Sequence, residues 1–255
     1  MKLKLITLLA AGTALFAGQA LAEKINIAVE GAYPPFSYVD NAGKPVGFDV
    51  DIAEALCTQA KLDCNIVTQE WDGLIPGLNA KKYSAIVASM TITDERRQVV
   101  DFTDSYYRSP VRFMAAKGAE FDFAKGGLRG KVIGVQSGTV YDKWLAETYP
   151  DAEVRSYPST EEHNADLMSG RVDLVVTDAL ALLGGFLQTP EGKNYDLTGP
   201  DLTDRRLIGD GVGIAVRKGD DALRETLNKA ITAIRADGTY DKINKKYFPI
   251  DIFGR

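Results

Sequence analysis

Residues 131–178 read KVIGVQSGTVYDKWLAETYPDAEVRSYPSTEEHNADLMSGRVDLVVTD. Runs rich in β-branched residues, Lys131–Val135, Glu153–Tyr157 and Arg171–Thr177, alternate with helix-patterned stretches at Thr139–Thr148 and Ser159–Ser169. Ser159 and Glu162 have the spacing of a capping box at the start of the second helix. Strand, helix, strand, helix, strand predicts an α/β unit with parallel strands.

The same order stands earlier in the chain. Ile25–Val29, Asn65–Gln69 and Ser84–Ser89 read as strands, and Asp49–Lys61 and Trp71–Lys81 as helices. Between the two halves lies a β-prone segment, Tyr106–Ala116, and after the second half another, Leu207–Val216, with glycines at 209, 211 and 213. Two such segments fit two crossings between two lobes. A helix from Asp221 carries Leu223, Leu227, Ala230, Ile231 and Ile234 on one face and stops at Gly238, with a short helix, Tyr240–Tyr247, beyond. The expected division is a leader at 1–22, a first lobe of 23–110 plus 212–255, and a second lobe of 111–211 that includes the crossings.

The leader reading rests on Lys2 and Lys4, the apolar run Leu5–Ala17 and the cleavage pattern Ala20-Leu21-Ala22, which puts the first mature residue at Glu23. The apolar run is too short for a membrane span. The chain of 255 residues carries a net charge of −5, and loss of two lysines with the leader makes the rest more acidic. Scattered charges on an acidic chain argue against nucleic acid as a partner. A single histidine argues against a metal site, and no cofactor motif is present. Cys57 and Cys64 are an even pair in an exported chain, which favours a disulfide between a helix end and a strand start; two buried thiols are the alternative.

In open parallel α/β sheets, ligands bind beyond the carboxyl ends of the strands. Those positions hold Glu30 and Tyr33, then Trp71, then Ser89, Met90 and Thr91 with Arg96 beyond. In the second half they hold Gln136, Ser137, Gly138 and Thr139, then Tyr157, then Asp178. Arg96 is informative. Thr93 offers an N-cap and Asp94 and Glu95 suit a first helical turn, but a cation there opposes the helix dipole. An arginine that holds an anion explains the placement, because guanidinium grips a carboxylate with two parallel hydrogen bonds. Asp178 could accept from an ammonium, so the two together suit an α-amino acid. Glu30 is a carboxylate with no partner nearby in sequence and calls for a second cation on the ligand. Tyr33 and Trp71 could flank its side chain. Each has a plainer alternative: Arg96 and Glu30 as solvated surface charges, Trp71 as a core anchor, and Asp178 as the N-cap of a helix over Ala179–Phe186.

The chain closely resembles the family 3 periplasmic solute-binding proteins of ABC importers, in particular the lysine/arginine/ornithine-, histidine- and opine-binding branch. The matching segments are Gly47-Phe48-Asp49-Val50-Asp51-Ile52, Tyr33-Pro34-Pro35-Phe36, Trp71-Asp72-Gly73-Leu74-Ile75-Pro76, Thr91-Ile92-Thr93-Asp94-Glu95-Arg96 and Asp237-Gly238-Thr239-Tyr240-Asp241-Lys242. The resemblance implies two α/β lobes, each a mixed, mostly parallel sheet flanked by helices, joined by two hinge strands and closing over one ligand. It implies a periplasmic, monomeric protein that binds a cationic L-amino acid and hands it to a membrane permease; an opine or other arginine-derived ligand is the alternative. Carried over by position, Arg96 grips the α-carboxylate with Thr91 and Thr139, while Asp178 and the Ser89 carbonyl take the α-ammonium. Tyr33 and Trp71 sandwich the side chain, whose far end meets Glu30, Ala88 and Gln136; Met90 falls within the same strand-end run. Cys57 and Cys64 match a disulfide of this branch. Glu30 stands where basic amino-acid binders often have aspartate, Ala88 replaces a common serine, Gln136 a frequent leucine and Tyr141 an occasional glutamine.

An enzyme of the cyclohexadienyl dehydratase type on the same scaffold is the reading from another class. It needs an acid–base pair in the cleft. His163 lies mid-helix between Glu162 and Asn164 and reads as a surface residue, so no enzymatic activity is expected.

Overall fold

The computed structural model describes residues 24–254. The leader at 1–22 and the expected start at Glu23 lie outside the described residues.

The chain opens with β1 (Lys24–Val29), followed by a small antiparallel sheet of β2 (Ala32–Tyr33), β3 (Ser37–Val39) and β4 (Pro45–Val46). Next come α1 (Phe48–Ala60), β5 (Asp63–Thr68), a 3₁₀ turn at Trp71–Gly73 and α2 (Leu74–Asn79). Then β6 (Ala85–Ile86), α3 (Asp94–Arg97) and β7 (Val100–Tyr107) complete the first pass through the first lobe. The second lobe holds β8 (Val111–Ala116), β9 (Val132–Gln136), α4 (Val140–Thr148), β10 (Glu153–Tyr157), α5 (Thr160–Met168) and β11 (Leu174–Asp178). It continues through α6 (Ala179–Leu182), β12 (Tyr195–Leu202) and α7 (Arg205–Ile208). β13 (Val212–Arg217), α8 (Asp221–Ala236) and α9 (Thr239–Tyr247) return to the first.

The two large sheets have one plan. The first is ordered β5-β1-β6-β13-β7 and the second β10-β9-β11-β8-β12. In each, the first strand of the repeat lies between the second and third and runs parallel to both. One antiparallel strand, β13 or β8, separates these from the last strand. The repeat seen in sequence is therefore a repeat of topology. The crossings are shorter than the β-prone segments suggested. β7 and β8 absorb most of the first, leaving residues 108–110 between sheets, and α7 and β13 absorb much of the second.

Local chemistry explains the elements that aim at the cleft. α1 buries Phe48, Ile52, Ala53 and Leu56, and α8 lays Leu227, Ala230, Ile231 and Ile234 on the same core. Gly47 begins α1 at φ 127°, and a Cβ there would lie 2.3 Å from the Phe36 carbonyl oxygen. The expected strand over 84–89 pairs only at Ala85 and Ile86. The ladder stops short of Ser89, which adopts a left-handed conformation at φ 51°, and an isolated antiparallel bridge pairs Thr91 with Val212 beyond it. The expected helix over 179–186 begins as α6 and widens into a π turn at Leu183–Leu187. There Gly184 and Gly185 face Pro35 and Pro34 of the first lobe, where a Cβ would come within 2.8 and 2.3 Å.

Cys57 and Cys64 form a disulfide that ties the end of α1 to β5. The loop it closes is short, so its constraint on the unfolded chain corresponds to about 2–3 kcal/mol. We expect the Cys57→Ala/Cys64→Ala variant to lose about that much stability in denaturant titration while keeping its ligand affinity, since neither cysteine faces the cleft.

Candidate functional site

β1, β9 and β11 deliver Glu30, Gln136 and Asp178 at or just past their carboxyl ends, and the stretch after β6 delivers Ala88, Ser89 and Thr91. Together with Tyr33, Trp71, Arg96 and Thr139 these line one cavity between the sheets, with about 290 Å³ of space partly open to solvent. Val140 and Tyr141 complete the lining. Met90 is not part of it; its side chain is buried in the first lobe with Leu74, Leu78 and Phe102. Tyr157 does not line the cavity either, and its hydroxyl donates to Asp166 at 2.7 Å.

Thr93 caps α3, its hydroxyl accepting from the Arg96 N–H at 3.2 Å. The Arg96 side chain turns inward. Nη1 donates to the Thr91 carbonyl at 2.9 Å, and the guanidinium lies 5.2 Å from the Trp71 ring centroid. Trp71 thus faces Arg96, a cation–π contact. Arg96 forms no ion pair among the described residues, and burial pushes its pKa down to about 10, which leaves it charged at neutral pH.

Asp178 begins the turn into α6 but caps nothing with its side chain. Its Oδ2 accepts from the Tyr33 hydroxyl at 2.9 Å and the Tyr141 hydroxyl at 3.2 Å. Burial raises its pKa to about 6, against the lowering effect of Tyr33, Ser109 and Tyr141. Glu30 does have a partner, one that sequence proximity could not reveal: Gln136 Nε2 donates to it from the other lobe at 2.6 Å. That is an amide, not a cation. Burial raises the Glu30 pKa to about 7; the Gln136 bond opposes this, while the carboxylates of Asp49, Asp72 and Glu161 add to it. Neither Glu30 nor Asp178 has an ion-pair partner among the described residues. The Thr139 hydroxyl caps α4, accepting from Asp142 N–H at 3.4 Å and donating to Gln136 O at 2.8 Å.

Two further features were misread or missed in sequence. His163 is fully buried rather than a surface residue. Thr160, His163 and Leu167 share the inner face of α5, and this spacing outweighs the polar neighbours Glu162 and Asn164. Burial lowers its pKa to about 3, and it does not reach the cavity, so it supplies no acid–base pair there. Asp49 was noted only as part of a motif. It is a fully buried carboxylate behind Ser89, accepting from Ser89 Oγ at 2.9 Å and Tyr106 Oη at 2.7 Å. Its place on the apolar stripe of Ile52, Ala53 and Leu56 was the signal that could have found it.

The chain has clear relatives. A model of the bacterial extracellular solute-binding proteins, family 3, matches residues 25–250. The L-arginine-binding protein of Pseudomonas aeruginosa is 48% identical over 255 residues, spanning 99% of this chain and 98% of the relative. The histidine-binding periplasmic protein of Salmonella typhimurium is 40% identical over 256 residues, spanning 100% and 98%. Among solved structures, an ancestral arginine-binding protein bound to arginine superposes with a TM-score of 0.81 at 35% identity, covering 88% of this chain and 98% of that one.

The raised carboxyl pKa values set a sign for pH dependence. Folded Glu30 keeps its proton to about pH 7, against an ordinary value of 4.5. The stability this confers is complete below the unfolded pKa and is lost as pH rises through the folded one. Calorimetric melting of the ligand-free protein should therefore show wild type losing stability relative to Glu30→Gln between about pH 4.5 and 7. Wild type gaining stability relative to Glu30→Gln as pH rises through that range would contradict the burial of a carboxyl without a counter-ion.

Proposed function

The chain belongs to the bacterial extracellular solute-binding proteins of family 3, and from that premise we propose that it captures a cationic L-amino acid of the arginine, ornithine, lysine or histidine type. The observation that carries the reading is the pattern of unpaired charge around one cavity. One guanidinium, Arg96, and two carboxyls, Glu30 and Asp178, face it without counter-ions among the described residues. A cationic α-amino acid has the complementary set: one carboxylate, an α-ammonium and a second cation.

The roles follow from that match. Arg96 holds the α-carboxylate with the free backbone N–H groups at the start of α4, where the helix dipole also favours an anion. Asp178 accepts from the α-ammonium, with Tyr33 and Tyr141 fixing its carboxylate. Glu30 meets the distal cation, and Gln136 orients Glu30. The ionised forms that a cationic ligand needs are those that burial disfavours in its absence, so binding draws protons off Glu30 and Asp178.

Arg96 and Glu30 stand on the first lobe and Asp178 and Gln136 on the second, so the ligand favours the closed form through contacts to both. Direct bonds already cross the cleft, including Tyr33 to Asp178 and an exposed Lys143–Glu95 pair at 2.9 Å. The protein acts as a monomer in the periplasm, exported by its leader, and delivers the ligand to the permease of an ABC importer. It does so by binding alone, without turnover.

Isothermal titration with arginine, ornithine, lysine, histidine, glutamine and an arginine-derived opine tests the reading. At about 100 times its dissociation constant, a ligand adds about 2.7 kcal/mol of stability. Arg96→Ala and Asp178→Ala should each cost about 2–5 kcal/mol of binding, the scale for removing one member of a buried charge pair. Glu30→Gln should weaken cationic ligands more than glutamine. Binding confined to neutral or acidic amino acids would sink the cationic assignment, and tight binding by Arg96→Ala would sink the carboxylate grip.

A further inference from the structure

Three non-glycine residues among those described have positive φ: Lys61, Lys81 and Ser89. The first two end helices, where a left-handed residue is ordinary: Lys61 closes α1, and the Lys81 N–H returns to the Leu78 carbonyl after α2. Ser89 ends no helix. It sits in the wall of the cavity at φ 51°, in a conformation disfavoured about 5- to 30-fold for a residue with a Cβ. Something must hold it there.

The holding group is Asp49, from the first turn of α1. Its Oδ2 accepts from Ser89 Oγ at 2.9 Å, and its Oδ1 accepts from Tyr106 Oη at 2.7 Å. The Tyr106 oxygen in turn accepts from the Ser89 N–H at 3.3 Å. Tyr106 is itself fully buried, and its own carbonyl accepts from the Tyr240 hydroxyl of α9 at 2.8 Å. The side chain and the N–H of Ser89 are thus both committed to the protein interior. Its carbonyl accepts no hydrogen bond among the described residues, and Asp49 itself does not reach the cavity.

We propose that Asp49 is a positioning residue for ligand binding: with Tyr106 it locks Ser89 in the left-handed conformation and so fixes the Ser89 carbonyl as an acceptor for the α-ammonium. This rests on the amino-acid reading above. It assigns a binding role to a carboxylate that never touches the ligand. It also explains why a buried acid is kept on the apolar face of α1, where Ile52, Ala53 and Leu56 pack.

The test is a double-mutant cycle, read by titration with L-arginine, because glycine adopts positive φ without a lock. Asp49→Ala should weaken binding about tenfold when residue 89 is serine, within the range set by the left-handed penalty, and less than about twofold in the Ser89→Gly background. Ser89→Ala should bind at least about fivefold more weakly than Ser89→Gly, because alanine keeps the Cβ penalty and loses the hydroxyl that opposes it. Equal loss from Asp49→Ala in both backgrounds overturns the proposal, as does Ser89→Gly binding no better than Ser89→Ala. The alanine–glycine pair leaves Asp49 in place and decides the matter even where Asp49→Ala does not fold. A crystal structure of ligand-free Asp49→Ala separates the lock from the ligand assignment. Ser89 moved to negative φ supports the lock, and Ser89 unmoved refutes it, whichever ligand the wild type takes.

Discussion

A charge withdrawn from water must find a counter-charge, or neutralise, or be supplied with one from outside. The cleft of this protein is organised around that constraint. Among the described residues Arg96 has a carbonyl and an aromatic face but no carboxylate. Asp178 has two tyrosine hydroxyls and Glu30 has one amide, but neither has a cation among those residues. Each group is hydrogen-bonded well enough to be held in place and poorly enough compensated to favour an ionic ligand. The raised carboxyl pKa values and the lowered arginine pKa are the same fact expressed in protons.

The fold supplies the geometry. Two sheets of one topology place the carboxyl ends of their parallel strands at a shared seam, so short strands can present charges from both lobes to one small volume. Around this seam the backbone is irregular. Ser89 is left-handed, the helix after Asp178 widens into a π turn, and Gly184 and Gly185 allow that turn to approach Pro34 and Pro35 closely. The regular elements lie behind, where α1 and α8 pack on the first sheet.

Much of this was legible in sequence because it rests on local patterning. The strand–helix alternation of 131–178, the caps at Thr93 and Ser159, and the stop at Gly238 are each fixed by a few neighbouring residues. Strand-end reasoning brought Glu30, Arg96, Gln136 and Asp178 together because parallel sheets converge at those ends. What escaped depends on contacts distant in the chain. The bond from Gln136 to Glu30 joins residues 106 apart, and that from Ser89 to Asp49 joins residues 40 apart. His163 was misread because its immediate neighbours are polar, whereas its helix face is set by residues three and four positions away. Met90 was taken in because it lies within the strand-end run, whereas its side chain packs into the core of the first lobe.

The orientation of the ligand is the most direct test of this account. A crystal structure with a bound cationic amino acid should place the α-carboxylate on the Arg96 guanidinium, the α-ammonium on Asp178 and the side-chain cation beside Glu30. A ligand lying the other way, with its side-chain cation on Asp178 and its α-ammonium beside Glu30, would contradict the division of roles. A carboxylate held away from Arg96 would remove its foundation.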